Sequence, residues 1–189
     1  VNFLKKIIIL LSLLFHLKCF FLKVIKQKIN KIMKILIKYH NPNCKIESHG
    51  NWFDLKSSID IELNEFEHAL IPLGVSMKLP KYYQGSVVPR SGTFSKFGVI
   101  QGNHYGVVDG PDKHTDGYSG NNDIWKFSAI ALRSTKISTG DRICQFEIRP
   151  TMKAPWWAKL KWIFDNKIEF IEVDKLNSKD RGGFGSTGK

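Results

Sequence analysis

Between residue 33 and the polar stretch at 174–180, apolar residues come in short runs separated by turn-forming residues. The runs fall at 59–63, 69–75, 85–88, 97–100, 124–132, 142–148 and 167–173. Their spacing and β-branched content predict strands, whose side chains alternate between two faces. An earlier strand is expected where Ile35, Ile37 and Tyr39 alternate with Lys34, Lys38 and His40. One helix is expected: Pro155 opens it, and Trp156, Leu160 and Ile163 recur at helical spacing. Its apolar side is expected to pack on the β domain. With no internal repeat, the chain reads as all-β with one short helix.

At 189 residues and 42% hydrophobic composition, one domain with a real core is expected. The formal charge of +12 is unevenly spread. Residues 1–32 hold seven lysines and no acid, leaving 22 basic against 17 acidic residues for 33–189. A mildly basic domain suits a small polyanion in a local site and argues against a nucleic-acid duplex, which needs a long basic face. Within 1–32, Lys5-Lys6 and the apolar run to Phe15 resemble the start of a secretory signal, but His16 and Lys18 interrupt it and no small-residue cleavage site follows. A spanning helix needs about 20 apolar residues. Residues 1–32 are therefore expected to be an extension outside the native domain, with a membrane anchor as the other reading. Cys19, Cys44 and Cys144 are odd in number and lack metal-ligand spacing, which points to reduced thiols in the cytoplasm.

The chain ends Arg181-Gly182-Gly183-Phe184-Gly185-Ser186-Thr187-Gly188-Lys189. So many glycines stabilise neither helix nor strand. Backbone N–H groups free of side-chain crowding can surround phosphate oxygens, Ser186 and Thr187 can donate to them, and Phe184 offers a flat face for a base. Composition alone leaves a disordered tail as the other reading.

Three segments precede this tail: Pro89-Arg90-Ser91-Gly92, Gly106-Val107-Val108-Asp109 and Gly140-Asp141-Arg142-Ile143-Cys144-Gln145. Each alone is an ordinary turn or strand end. In this order, and with the glycine-rich ending, they make residues 33–189 resemble the trimeric dUTP diphosphatases (dUTPases). Asn51-Trp52-Phe53-Asp54-Leu55 looks like a diverged first motif of that family. Asn121-Asn122-Asp123-Ile124-Trp125 is similar to a variant found in dUTPases of Gram-positive bacteria and their phages.

The resemblance implies a jelly-roll β-barrel domain at 33–174, then a linker and flexible glycine-rich arm at 175–189. It implies a homotrimer with sites at subunit boundaries, each closed by another subunit's arm. The implied reaction is Mg²⁺-assisted hydrolysis of dUTP to dUMP and pyrophosphate. Asp109 would orient and deprotonate the attacking water. Asp116 is the alternative, because Asp116-Gly117-Tyr118 also fits the pattern, but Asn103, six positions before Asp109, has the spacing of the family's uracil-reading asparagine. Asn103 and the main chain at Gly106 and Val107 would select uracil. Tyr118 would pack under the deoxyribose, although the longer stretch 110–117 separates it from Asp109. Arg90, Ser91, Gly92 and Gln145 would hold phosphates, and Asp54 would touch a magnesium-bound water. Lys179 or Arg181 would meet the γ-phosphate; Phe184 would cover uracil while Gly185, Ser186 and Thr187 close on the phosphates. Asp141 and Arg142 would form an intersubunit or a structural ion pair.

Two other readings remain. A dCTP deaminase shares the fold and an Arg-Ser segment, but it needs a glutamate in the third motif and lacks this arm. A regulatory protein-binding role, through 110–117 or 156–162, can coexist with catalysis.

Overall fold

A computed structural model describes residues 15–18, 32–164 and 167–183. Its strands are β1 (Ile32–Tyr39), β2 (Glu47–Ser48), β3 (Phe53–Lys56), β4 (Ile61–Leu63), β5 (His68–Pro72), β6 (Val75–Lys78), β7 (Tyr83–Pro89), β8 (Val99–Gln101), β9 (Gly106–Asp109), β10 (Lys126–Ala131), β11 (Thr135–Ile137), β12 (Arg142–Pro150) and β13 (Lys167–Glu172). Among the described residues the helices are α1 (Thr93–Phe97) and α2 (Trp156–Phe164), with a 3-10 turn at Pro42–Cys44 and helical backbone at 15–18.

Four sheets surround one core: β2-β3-β12-β7-β9, β13-β1-β6, β5-β10-β8 and β11-β4. Among the described residues no continuous ladder closes them into the barrel expected from the sequence. What joins them is side-chain packing. On β1, Met33, Ile35 and Ile37 are buried while Lys34 faces out, the alternation a half-buried strand requires. Phe146 of β12 meets Phe53 of β3, Trp125 and Phe170 of β13, with ring centroids 5.4, 5.2 and 6.1 Å apart. These rings bridge the five-stranded sheet to the β1 sheet. Cys44 and Cys144 are buried, unpaired thiols. Burial first, then Asp54, holds the Cys144 thiol well above its ordinary range, so it stays protonated and unreactive; Cys19 lies outside the described residues.

The structure departs from the sequence reading at three places. The apolar run 69–75 is two strands, because Gly74 takes a left-handed backbone (φ 66°) and turns the chain from the β10 sheet into the β1 sheet. The run 97–100 opens with the end of an unexpected helix. There α1 buries Phe97, and Gly98 (φ 64°) closes it with its N–H on the Phe94 carbonyl at 2.7 Å before β8 begins. Finally, α2 forms as expected but packs the other way round. Its buried residue is Ala158, whose carbonyl accepts from the Tyr83 hydroxyl at 3.3 Å; Trp156, Leu160 and Ile163 point to solvent. Only the small methyl of Ala158 lets the helix backbone approach Tyr83 this closely.

Candidate active site

β9 ends at Asp109, and antiparallel pairing sets Asp109 opposite Gln84 and Gly106 opposite Val87 on β7. The turn before β9 carries Asn103, whose Oδ1 accepts from Gln101 Nε2 at 2.9 Å; the same amide donates to the Val87 carbonyl at 3.2 Å. A cleft of about 280 Å³ opens along this hairpin, lined by Asn103, Gly106, Val107, Asp109, Tyr118 and Arg181, with Trp125 behind them. The Tyr118 hydroxyl donates to the Ile124 carbonyl at 2.9 Å. Burial, reinforced by the negative charges of Asp123 and Asp180, pushes its pKa up to about 12, so the ring presents a neutral face at physiological pH.

The long stretch between Asp109 and Tyr118 does not separate them in space. Gly110 N–H bonds the Tyr83 carbonyl at 2.9 Å, and Tyr118 N–H bonds the Asp109 carbonyl at 2.7 Å. The loop therefore leaves and returns at one point. Gly117 sits at that pinch with φ 69°, its Cα against the Gly110 backbone where any Cβ would collide. At the tip, Asp112 Oδ1 accepts from the N–H groups of His114 (2.6 Å) and Thr115 (2.9 Å), which lowers the Asp112 pKa and ties the turn.

The root of the C-terminal arm lies on this same hairpin. Buried Asp123 accepts from the N–H groups of Gly120, Arg181 and Gly182, at 2.8, 2.9 and 2.9 Å. Asp180 accepts from the backbone and side chain of Asn122 at 2.8 and 2.6 Å, and the backbone bond lowers its pKa. So held, Arg181 Nη1 donates to Asp109 Oδ2 at 3.2 Å, and Gly183 lies against the Tyr118 ring. Lys179 lines a separate hollow with Asp112, Lys113 and Asp116. The sequence reading expected another subunit's arm over Asp109; within one chain, residues 180–183 pack on their own hairpin because Asp123 accepts from the backbone N–H groups of Arg181 and Gly182, and Asn122 donates to the Asp180 carboxylate. Phe184, Gly185, Ser186 and Thr187 lie outside the described residues.

A second cluster stands at the other end of β7. Asp54 on β3 is buried, its Oδ1 accepting from Arg90 Nε at 2.7 Å and its Oδ2 from Arg142 Nη1 at 3.3 Å. Arg90 follows the last residue of β7, and its N–H is fixed by Thr93 Oγ1 at 2.9 Å. Ser91 and Gly92 are exposed in the turn that leads into α1, where the Gly92 carbonyl accepts from the Lys96 N–H at 3.0 Å. Gln145 pairs in register with both Asp54 and Val88, and its amide donates to the Pro89 carbonyl at 3.4 Å. Asp141 and Arg142 do not pair with each other: Asp141 binds Lys96 at 2.8 Å, while Arg142 binds Asp54. Each Asp54 oxygen holds one guanidinium N–H, which leaves acceptor capacity on both for a further donor such as water. Among the described residues no group of three or more acidic, histidine or cysteine side chains is placed around a common point.

The dUTPase family model matches residues 39–188. The chain is a member of the dUTPase family. A dUTP nucleotidohydrolase named YosS, derived from the SPbeta prophage of Bacillus subtilis, is 46% identical over 160 residues, covering 82% of this chain and 99% of the relative. The dUTP nucleotidohydrolase of Finegoldia magna is 34% identical over 163 residues, covering 82% of this chain and 98% of its own length. Among solved structures, the Staphylococcus bacteriophage 80alpha dUTPase with dUPNHPP shares the fold at a TM-score of 0.53 and 21% identity, covering 82% of this chain and 98% of that one. The dUTPase of Streptococcus mutans does so at 0.52 and 20%, over 62% and 93%.

Within this dUTPase-family chain, the structure gathers Asn103, Gly106, Val107, Asp109, Tyr118 and Arg181 at one site, and Asp54, Arg90, Ser91, Gly92 and Gln145 at another. Asp116, the alternative base, lies just before the Gly117 pinch, in the hollow with Asp112 and Lys113 and outside the Asn103–Tyr118 cleft. Sequence reasoning misses Asp123: its Asn-Asn-Asp-Ile-Trp segment resembles a family variant, but nothing local marks it as the anchor of an arm 58 positions away.

Proposed function

We propose that this protein hydrolyses dUTP to dUMP and pyrophosphate in the cytoplasm, at sites that each need two neighbouring copies of the chain. The observation that carries the reading is the spacing along β7. Asp109 lies opposite Gln84 and Arg90 follows Pro89, so at about 3.3 Å per residue the two clusters stand roughly 20 Å apart. One triphosphate cannot bridge that distance. A symmetric ring, with the Asp109 end of one copy against the Arg90 end of the next, completes each site, and a homotrimer satisfies this.

In such a site Asn103 and the backbone of Gly106 and Val107 read the uracil edge. A cytosine amine would meet a donor there, and each buried mismatch costs about 1–3 kcal/mol. Tyr118, held flat by its bond to Ile124, supports the deoxyribose face. Arg90, oriented by Asp54, joins Ser91, Gly92 and Gln145 on the phosphates; an arginine fork can engage two oxygens at once. The substrate is the magnesium complex of dUTP, its metal held by phosphate oxygens and water rather than by a protein cage. Asp109 accepts the proton of a water whose oxygen bonds the α-phosphorus as the bridging oxygen to the β-phosphate departs with pyrophosphate. Arg181 holds Asp109 without substrate; with the triphosphate bound it turns to the phosphates, leaving the carboxylate to the water. Phe184 then stacks on the base, while Gly185, Ser186 and Thr187 close over the phosphates and exclude bulk water.

The test is pyrophosphate release from dUTP, dCTP, dTTP, dATP and dGTP with Mg²⁺ present. Release from dUTP alone is expected. Ammonia from dCTP, or release from all five, contradicts the reading.

A further inference from the structure

The apolar stripe of α2 faces away from the protein. At about 100° per residue, Trp156, Leu160 and Ile163 fall within roughly 60° of one another, and Ala158, the buried residue, lies on the opposite side. Trp156 is 75% exposed and Ile163 64%, and Met152 just before the helix is 92% exposed. Such a patch in solution normally marks a contact surface. Its charge says what it contacts. Residues 152–164 contain Lys153, Lys159 and Lys161 and no acidic residue.

A second copy presenting the same lysine-bearing face is repelled by it, and a neutral apolar partner leaves the lysines unmatched. A surface both apolar and anionic complements both features of the face.

We propose that the exposed face of α2 docks on an anionic lipid bilayer. The helix lies in the headgroup layer, with Trp156, Leu160 and Ile163 inserted and the lysines against lipid phosphates. At about 13.5 Å it is too short to cross a hydrocarbon core of roughly 30 Å.

The experiment uses the full chain and extruded vesicles of phosphatidylcholine, with or without phosphatidylglycerol. The protein is expected to sediment with the anionic vesicles and not the neutral ones, to be released by salt, and to have its tryptophan fluorescence quenched by bromine-labelled acyl chains. The double variant Trp156→Ser/Ile163→Ser is expected to bind at least about tenfold more weakly, with dUTP hydrolysis in solution unchanged. Equal binding to neutral vesicles, no binding, no quenching, or undiminished binding by the variant overturns the proposal. So does a change of oligomeric state in the variant, which would assign the face to a second copy.

Discussion

Asp109 and Asp116 are both exposed aspartates beside a glycine, and only their surroundings assign them different work. Asp109 faces the cleft of Asn103 and Tyr118 and holds Arg181, whereas Asp116 lines the separate hollow of the 110–117 loop. A positioned general base contributes about 10²–10⁴-fold. Asp109→Asn is therefore expected to lower kcat at least about a hundredfold with an unchanged melting temperature, and Asp116→Asn to leave kcat near wild type, both read by pyrophosphate release. The reverse ranking would move the base to the loop. At this scale Asn103, Asp109 and Tyr118 can be named from the sequence only through the family resemblance, since an asparagine, an aspartate and a tyrosine near turns are otherwise ordinary. The pairing of Asp54 with Arg90 is not legible even so, since the two residues are 36 positions apart and meet only because β12 lies between β3 and β7.

Among elements, the 110–117 loop shows how an irregular sequence can keep a regular geometry. Two backbone bonds pinch it shut, and Gly117 makes the pinch possible by a left-handed backbone against Gly110. Gly117→Val should cost more than about 1 kcal/mol, seen as a lower melting temperature, because both the φ angle and the contact exclude a side chain. It should also displace Tyr118, so the ratio of kcat/KM for dUTP over UTP should fall; an unchanged ratio would free Tyr118 of its part in reading the sugar. Strand positions were legible where alternation was clean, as on β1. They blurred where a glycine inside an apolar run switched sheets, at Gly74, or ended a helix, at Gly98. The orientation of α2 was misread because periodicity identifies an apolar stripe but not which partner covers it, and here the closest approach to the core is made by Ala158.

For the whole molecule, the sheet core explains why two chemically complementary clusters are held rigidly yet apart. β7 is a stiff spacer, hydrogen-bonded on both sides by β9 and β12, and no hinge among its residues would let Arg90 swing to Asp109. Sequence order alone does not give this distance; the expectation of sites at subunit boundaries comes from the family resemblance, and the spacing along β7 is the physical argument for it. Complementation tests the point directly. Asp109→Asn and Arg90→Ala chains, each inactive alone, are co-expressed and assayed for pyrophosphate release from dUTP. If each site joins the Asp109 end of one copy to the Arg90 end of the next, random assortment in a three-fold ring restores about a quarter of the wild-type sites. Mixed protein as inactive as either parent would contradict the shared site.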